Sequence, residues 1–277
     1  MDQHEFGGGW TQLKLDLLEK YLKAYCQALK NQNFKLLYID AFAGTGESRT
    51  KGVNAQDVEG SALRALNTEG FDSFIFIEEN KKRFAKLKAL CTQPEHAAKD
   101  IRLHRDNSNN VLLDLLKEFN WREWRAVSFL DPYGLTVDWP TLKAIADTRA
   151  IDVWYLFSIS GLARNAANKW SAVDAGKMAA VDRALGTTDW QTAFYSDTGQ
   201  LDIFGSDPHV VRYADIDDLE RYVRERLKQI FPEVLTPVRL PKRGSPLYSL
   251  FFAMANDSPA AIGLAKKIAG HIINNAG

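Results

Sequence analysis

The sequence predicts an α/β fold of the Rossmann-like type, with a mostly parallel seven-stranded sheet that ends in an antiparallel hairpin. Short apolar runs alternate with amphipathic segments between positions 34 and 157, which is the pattern of strands separated by helices. Two further strand-like runs, joined by a link rich in proline and glycine, lie near the end of the chain. Because strand–helix–strand crossovers are right-handed, they place successive strands side by side and in parallel.

The first part of the chain supplies the parallel strands. An amphipathic helix is predicted at 11–29, because its apolar residues recur at the helical period. The dense apolar run at 34–42 is typical of a strand buried on both faces. The remaining elements of this series are strands at 73–77, 101–104, 126–130 and 151–157, with helices at 61–66, 81–90, 108–119 and 140–146.

The alternation of strands and helices stops near position 160. Residues 161–213 combine weak helical pieces with turn-rich stretches, and we expect a helical insertion or cap there. A strongly amphipathic helix follows, which Asp215 or Asp217 would cap and Pro232 would end.

The last part of the chain predicts a hairpin and a closing helix. The runs at 236–240 and 247–255 read as two strands joined by a short turn, and a helix is expected at 258–273. We therefore expect one domain over residues 1–277. Its parts are an N-terminal helical region (1–35), the helical insertion or cap (161–213) and the late hairpin (236–256). A parallel sheet that ends in an antiparallel hairpin is typical of methyltransferases that use S-adenosylmethionine (SAM), although a fold by itself does not define a function.

Composition restricts the possible partners. Lysine plus arginine and aspartate plus glutamate number 35 each, so the formal net charge is zero. Nucleic-acid binding would therefore depend on a local basic patch rather than on overall charge. No apolar stretch approaches the roughly 20 residues that cross a bilayer, and the N-terminus lacks the pattern of a signal peptide. We expect no membrane association.

The two cysteines, Cys26 and Cys91, lie far from each other and from the five histidines in sequence. This spacing favours neither a metal site nor a disulfide. A reducing cytoplasm fits best.

A glycine-containing turn follows the first predicted strand, in the segment Asp40-Ala-Phe42-Ala-Gly44-Thr-Gly46. Glycines let the backbone approach a nucleotide-like ligand closely, so Asp40 and the two glycines are expected to face the methionine and ribose end of SAM. The third glycine of the dinucleotide fingerprint is missing. This absence disfavours NAD and favours SAM, which has no phosphate; a plain strand-to-loop turn is the structural alternative.

Acidic residues also follow the next two strands. Glu78 is placed to accept hydrogen bonds from both ribose hydroxyls, or else it is a helix N-terminal acid stabilised by the helix dipole. Asp106 is placed to accept a hydrogen bond from the adenine amino group, or else it is a solvated turn residue.

The segment Asp131-Pro132-Tyr133-Gly134 after the fourth strand suits a planar amine substrate. Asp131 and the Pro132 carbonyl would accept hydrogen bonds from the target nitrogen, and Tyr133 would stack on the ring. Such contacts hold the nitrogen in line with the methyl group, and methyl transfer depends mainly on that positioning. The structural alternative is a β-turn, in which proline and glycine are favoured.

Basic residues near both ends of the chain are further candidates. Lys14 is placed to reach the carboxylate of SAM, while Thr11 before it is expected to cap the first helix. Arg239, Lys242 and Arg243 form a small basic patch at the late hairpin, which a solvated hairpin tip explains equally well.

Five motifs together resemble the three-Cys-motif partner (TcmP) family over nearly the whole chain. They are Trp10-Thr11-x-x-Lys14, Tyr38-Ile39-Asp40-x-Phe42-Ala43-Gly44-x-Gly46, Gly60-Ser61, Phe76-Ile77-Glu78 and Phe129-Leu130-Asp131-Pro132-Tyr133-Gly134. Their order and spacing are more specific than any one of them.

This resemblance implies a bacterial or phage-borne protein of the class I SAM-dependent methyltransferase type, with a partner that carries a three-cysteine motif. It implies cofactor roles for Asp40, Gly44, Gly46 and Glu78, and substrate-side roles for Asp131, Pro132 and Tyr133. The last segment is also similar to the Asp-Pro-Pro-Tyr signature of adenine amino-methyltransferases. Here the second proline is absent and the aromatic residue comes one position early.

Three functional hypotheses follow. The first is SAM-dependent N-methylation of a nucleic-acid base or another planar amine. A base inside a duplex would have to be flipped and held by a cap, for which the insertion offers Arg164, Asn165, Asn168, Lys169 and Trp170. The second is a catalytically silent SAM-binding partner of a three-cysteine-motif protein, and the third, weakened by the missing glycine, is an NAD-dependent oxidoreductase.

Overall fold

The computed structural model describes residues 9–45, 47–49, 57–201, 208–241 and 244–275. In chain order, its helices and strands are α1 (Gly9–Leu29), β1 (Lys35–Asp40), β2 (Glu47–Arg49), β3 (Asp57–Glu59), α2 (Ser61–Leu66), β4 (Ser73–Ile77), α3 (Lys81–Cys91), β5 (Asp100–His104), α4 (Ser108–Glu118), β6 (Trp124–Leu130), α5 (Trp139–Asp147), β7 (Ile151–Phe157), α6 (Ile159–Asn165), α7 (Ala175–Leu185), α8 (Trp190–Phe194), β8 (Tyr195–Leu201), β9 (Pro208–Arg212), α9 (Ile216–Lys228), β10 (Glu233–Val234), β11 (Val238–Leu240), β12 (Tyr248–Met254) and α10 (Pro259–Asn274).

The central sheet has the order β10-β12-β7-β6-β1-β4-β5, with β11 also paired to β12. Strands β1, β4, β5, β6 and β7 run parallel, and β12 is antiparallel to β7. The predicted mostly parallel sheet with a late antiparallel hairpin is therefore confirmed. An eighth strand is present because β10, only two residues long, pairs with one end of β12 while β11 pairs with the other end.

The register places three carboxyl ends level with one another. Asp40 at the end of β1 is paired with Phe76 of β4 and with Phe129 of β6. The residues that follow these strands consequently emerge at the same edge of the sheet, which is where ligands bind in open α/β sheets.

Helices cover both faces of the sheet. One core joins α1, α2, α3 and α10 to the sheet, and includes Leu18, Ala62, Leu87 and Ala265. The other joins α4, α5, α6, α7 and α9 to the opposite face. Since both faces are covered, the central strands are buried along their length, as expected for parallel strands.

The segment at 161–213 packs onto the second core. Its helices are followed by a hairpin, because Tyr195 of β8 is paired with Arg212 of β9, whereas turns were expected there. The fully buried Trp190 belongs to the same core as Leu219 of α9. The guanidinium of Arg226 also donates to the Leu185 carbonyl oxygen, with its Nη2 at 2.9 Å.

The structure contradicts one predicted helix cap, that of α1, and confirms another, that of α9. Helix α1 begins at Gly9, so Thr11 lies inside the helix rather than at its cap. Helix α9 is capped by Asp215, whose side chain and that of Asp218 each accept a hydrogen bond from the other's backbone N–H. This reciprocal arrangement is a capping box.

Three other sequence expectations can be compared with the described residues. Cys26 and Cys91 are both free and buried, and none of the described helices is long and apolar enough to cross a membrane. Within the same residues, no group of three or more histidine, cysteine, aspartate or glutamate side chains is arranged to hold a metal ion.

Candidate active site

A cleft of about 430 Å³ opens at the carboxyl edge of the parallel strands. Its volume falls within the range of small-molecule sites, roughly 300–1,000 Å³. Helix α1, the segments that follow β1, β4, β5 and β6, and the start of β12 all contribute to it. The residues that line it include Trp10, Lys14, Phe42, Gly44, Ser61, Glu78, Arg83, Asn107, Asp131, Pro132, Tyr133 and Tyr248.

The turn after β1 forms one wall of this cleft. The Ala41 N–H donates to the Phe129 carbonyl oxygen at 3.1 Å, and the Ala43 N–H donates to that of Ile77 at 3.0 Å. Gly44 has φ +64°, a conformation that L-residues with side chains rarely adopt. A Cβ added there would meet no atom within 4 Å, so the backbone conformation, and not crowding within the protein, requires the glycine. Gly46 lies outside the described residues.

Asp40 is fully buried and is not among the residues that line the cleft. Because side chains alternate along a strand, Asp40 lies on the same face as Tyr38, whose hydroxyl donates to it at 3.4 Å. It also accepts the Phe42 N–H at 3.2 Å and a hydrogen bond from the Ser61 side chain. Asp40 therefore stabilises the turn from within the protein core. It does not face the methionine end of a ligand, as the sequence had suggested.

The environment of Asp40 also changes its protonation. Burial raises the pKa of this carboxyl to about 7, and the hydrogen bonds from Ser61 and Phe42 oppose the shift. The negative charge of Asp131 raises the pKa further, and the positive charge of Lys14 lowers it.

Glu78 lies directly after β4, and its side chain is buried in the wall of the cleft. Its Oε1 accepts the Asn80 N–H at 2.7 Å and pairs with Arg83 Nη2 at 2.8 Å. Asn80 in turn caps α3. Glu78 thus combines the two predicted alternatives, since it stands before a helix and also faces the cleft.

Arg83 is a site residue that the sequence reasoning missed. Its guanidinium pairs with Glu78, which precedes α3, and lies 5.3 Å from the centre of the Tyr133 ring. Its Nε is buried and has no hydrogen-bond partner among the described residues. A buried donor without an acceptor is costly, and the ion pair with Glu78 holds Arg83 in this position. The signal in the sequence was the spacing from the cap Asn80, which puts Arg83 in the first turn.

Asp106 is exposed and does not line the cleft. It accepts the backbone N–H of Asn107 at 2.7 Å, and Asn107 caps α4 by accepting the Asn109 N–H at 3.0 Å. Because the helix begins here, the residues that line the cleft are those from Asn107 to Asn109 rather than Asp106. The Ser108 hydroxyl also donates to the Ala41 carbonyl oxygen, which ties this helix start to the turn after β1.

Asp131 and Lys14 form an ion pair in the wall of the cleft. Lys14 Nζ donates to Asp131 Oδ2, and it lies 5.5 Å from the centre of the Trp10 ring. The Lys14 side chain is buried, and that of Asp131 is 26% exposed. Asp131 Oδ1 accepts no hydrogen bond from the described residues, so one oxygen is available to a ligand.

Aromatic rings surround this ion pair. Trp10 stacks on Tyr248 with ring centres 5.2 Å apart, and both line the cleft. Pro132 is buried beside them, while Tyr133 is 76% exposed at the rim. Burial raises the pKa of the Tyr248 hydroxyl, and the charge of Asp131 adds to the effect. Tyr248 was missed because only the pairing of β12 with β7 brings it to this edge.

The basic patch predicted at the late hairpin is not a free binding surface at Arg239. That guanidinium pairs with Glu220 and with Asp217, both at 2.8 Å, and the Ser249 hydroxyl donates to the same Glu220 carboxylate. Lys242 and Arg243 lie outside the described residues.

Comparison with known proteins gives structural similarity only. No protein-family model matches the sequence, and no curated protein sequence matches it. The chain is similar in structure to protein LPL1258 from Legionella pneumophila, described as family-model DUF519. The TM-score is 0.52 at 13% identity, and the match covers 97% of this chain and 94% of that one.

Two weaker similarities involve proteins whose structures contain adenosyl ligands. One is a spermidine synthase in complex with the transition-state analogue AdoDATO (TM-score 0.41, 11% identity, 92% of this chain and 62% of that one). The other is Trm1 from Pyrococcus horikoshii with SAM (TM-score 0.41, 11% identity, 89% and 57%). TM-scores below 0.5 carry no functional argument.

The observed topology is that of a Rossmann-like α/β fold, and the similarity to LPL1258 covers nearly the whole of both chains. The similarity shows the fold alone. Membership of the TcmP family and the roles of the individual residues stay predictions.

Proposed function

We propose that the protein is a SAM-dependent methyltransferase that methylates a nitrogen of a planar amine, such as a nucleic-acid base. One observation carries the proposal: the carboxylates of Glu78 and Asp131, which are 53 residues apart in sequence, line one cleft together with the turn at Gly44. This cleft lies at the edge of the sheet where α/β proteins bind nucleotide-like ligands.

The cofactor side of the cleft has donors and acceptors that fit an adenosyl group. Glu78 would accept hydrogen bonds from the ribose hydroxyls, and Arg83, whose Nη2 pairs with Glu78 Oε1 at 2.8 Å, would hold that carboxylate in place. The backbone at Gly44 leaves open space toward the ligand. SAM supplies an electrophilic methyl group carried on a sulfonium.

The substrate side fits an amine on a flat ring. Trp10, Tyr248 and Tyr133 offer aromatic surfaces for stacking. Lys14 binds Asp131 Oδ2, and the free Oδ1 of Asp131 would accept an N–H of the substrate. With its N–H held there, the nitrogen directs its lone pair at the methyl carbon. The methyl group would pass from the sulfonium of SAM to this nitrogen, and Asp131 or water would take the proton that the nitrogen loses.

The insertion contributes less to a base-holding cap than its sequence suggested. Trp170 packs against Tyr195 at 5.1 Å between ring centres, and Asn168 binds Arg212. Arg164, another of the insertion residues considered for a cap, has a positive charge that lowers the pKa of the Tyr248 hydroxyl in the cleft. We therefore base the preference for a nucleic-acid base on the aromatic surfaces of the cleft rather than on the insertion.

Calorimetry with SAM tests the cofactor half of the proposal. We expect binding by the wild-type protein and at least about tenfold weaker binding by Glu78→Gln, since a hydrogen bond to a charged group contributes about 1.5–3 kcal/mol. Glu95→Gln, which alters an exposed residue away from the cleft, is the matched control. Absence of SAM binding, or binding of NAD instead, would overturn the proposal.

Transfer of a radiolabelled methyl group from SAM tests the catalytic half. Single-stranded DNA, duplex DNA, RNA and a three-cysteine-motif protein are the acceptors to compare, with Asp131→Asn as the inactive control. SAM binding without transfer to any of them would favour the second hypothesis, a catalytically silent partner of a three-cysteine-motif protein. The ion pair that occupies Asp131 is the observation consistent with that alternative.

A further inference from the structure

A second cavity, also of about 430 Å³, lies at the opposite edge of the sheet, between α1 and α10. It is bordered by Arg125 and Asp152, which stand at the amino ends of β6 and β7. Met254 at the carboxyl end of the antiparallel β12 also lines it. This cavity shares none of its lining residues with the proposed active site.

A carboxylate without a bonded cation lies in this cavity. Asp152 is 6% exposed, and its Oδ2 accepts a hydrogen bond from the Tyr21 hydroxyl at 2.6 Å. Within the described part of the chain it forms no ion pair and no other side-chain hydrogen bond. Burial raises the pKa of Asp152 to about 7, against the opposing effects of the Tyr21 hydrogen bond and the charge of Arg125. A cation bound next to this carboxyl would favour its charged form.

A cation lines the same cavity without touching that carboxylate. Arg125 is anchored because its Nη1 donates to the carbonyl oxygens of Trp121 and Trp124 at 2.7 and 2.8 Å. Its guanidinium stacks on Phe34, 3.8 Å from the ring centre. Asp152 and Arg125 are therefore held in place by different partners: Asp152 by the Tyr21 hydroxyl, and Arg125 by backbone carbonyl oxygens.

The Tyr25 hydroxyl is a third polar group that is available to a ligand in the cavity. Tyr25 is 7% exposed, and its hydroxyl makes no hydrogen bond to the described residues. The remaining surface is largely aliphatic, and Leu264, Ala265 and Ile268 of α10 contribute to it. Leu264 is 41% exposed and forms an apolar part of the entrance to the cavity.

We propose that this cavity binds a zwitterionic α-amino acid with an apolar side chain. The ammonium would pair with Asp152, the carboxylate would face Arg125 and the Tyr25 hydroxyl, and the side chain would pack on α10. A ligand with only a negative charge would leave Asp152 unpaired, and one with only a positive charge would meet Arg125 without compensation. A zwitterion satisfies both groups, and the volume is within the usual range for small-molecule sites, roughly 300–1,000 Å³.

Calorimetry with L-leucine tests this inference against two analogues that each lack one charge. 3-Methylbutylamine keeps the ammonium and 4-methylpentanoate keeps the carboxylate. We expect leucine to bind, and each analogue to bind at least about tenfold more weakly, a difference of about 1.4 kcal/mol. Equal binding of all three, or no leucine binding at concentrations up to about 10 mM, would overturn the proposal.

The location of binding is tested with variants. Asp152→Asn keeps the shape and the acceptor for Tyr21, and we expect it to weaken leucine binding at least about tenfold. Tyr25→Phe is a milder second variant that removes only the unpartnered hydroxyl, and a smaller loss is expected. The matched control is Asp257→Asn, which alters an exposed carboxylate paired with Arg149 outside the cavity. Unchanged binding by Asp152→Asn would refute the site.

A spectroscopic readout is independent of the variants. The chain has three methionines, of which Met254 lines the cavity and Met178 belongs to α7 on the other face of the sheet. In protein labelled at the methionine methyl groups, leucine is expected to shift the Met254 resonance and leave that of Met178 in place. A shift of Met178 alone would show that leucine binds elsewhere.

Discussion

The ammonium group of Lys14 binds the carboxylate of Asp131 across 117 residues of chain, which joins the first turns of α1 to the end of β6. This ion pair lies beside the stacked rings of Trp10 and Tyr248. It lies on the side of the cleft where we place the methyl acceptor.

Lys14→Met is therefore expected to reduce methyl transfer more than cofactor binding. The substitution keeps the length of the side chain but leaves Asp131 without its cation, and a charge-assisted hydrogen bond contributes about 1.5–3 kcal/mol. We expect kcat/KM for the acceptor to fall at least about tenfold, with a smaller change in the Kd for SAM. Lys20→Met, at an exposed position of the same helix, should change neither; a larger loss in SAM affinity than in transfer would instead assign Lys14 to the cofactor.

Gly44→Ala is expected to weaken SAM binding through the added methyl group. Gly134→Ala is its matched control, because the two glycines have similar positive φ angles, +64° and +69°, and neither Cβ would meet an atom within 4 Å. Both substitutions should lower the free energy of unfolding by about 1–2 kcal/mol. Since Gly44 but not Gly134 lines the cleft, calorimetry with SAM should show a loss of affinity for Gly44→Ala alone.

The buried carboxyl of Asp40 predicts a definite dependence of stability on pH. Its folded-state pKa of about 7 lies above its ordinary value of 3.8, so the folded protein holds this proton over a range where the unfolded chain has lost it. The Asp40 contribution to stability is therefore fully present below about pH 4 and is lost as pH rises through 7. Well above pH 7, where the carboxyl is ionised in both the folded and the unfolded state, this contribution no longer changes with pH.

Asp40→Asn removes this dependence, and chemical denaturation between pH 4 and 8 measures it. The difference in free energy of unfolding between the variant and the wild type should move in favour of the variant by up to about 1.4 kcal/mol per pH unit. The exposed Asp100→Asn control should show no such trend. A flat difference for Asp40→Asn would mean that the carboxyl is ionised throughout this range.

Arg239→Met is expected to destabilise the fold rather than to impair binding of nucleic acid. The guanidinium satisfies the carboxylate of Glu220, whose side chain is 11% exposed, and a buried charge left with fewer partners costs about 1–3 kcal/mol. Arg221→Met removes an exposed ion pair with Asp218 on the same helix and should change stability by less than about 1 kcal/mol. Thermal denaturation of the two variants provides the comparison.

The alternation of strands and helices was readable from the sequence because it depends on local periodicity. The apolar run that ends at Asp40 and the one that ends at Leu130 became β1 and β6. Glu78 and Asp131 follow their strands directly, so the parallel pairing that the pattern predicted was enough to bring them to one cleft. The turn-rich stretch before Arg212 was harder to interpret, because the pairing of β8 with β9 joins residues that are distant in sequence, such as Tyr195 and Arg212.

Only the tertiary structure decided which polar residues enter the cleft. Asp40 points into the protein core because of the pleat of β1. Asn107, rather than Asp106, lines the cleft because α4 begins there. Tyr248 reaches the site only through the antiparallel pairing of β12, and Lys14 meets Asp131 only once α1 is packed on the sheet. Sequence periodicity is a local property and therefore determined the elements and their order, whereas side-chain direction and contacts between distant residues depend on how those elements pack.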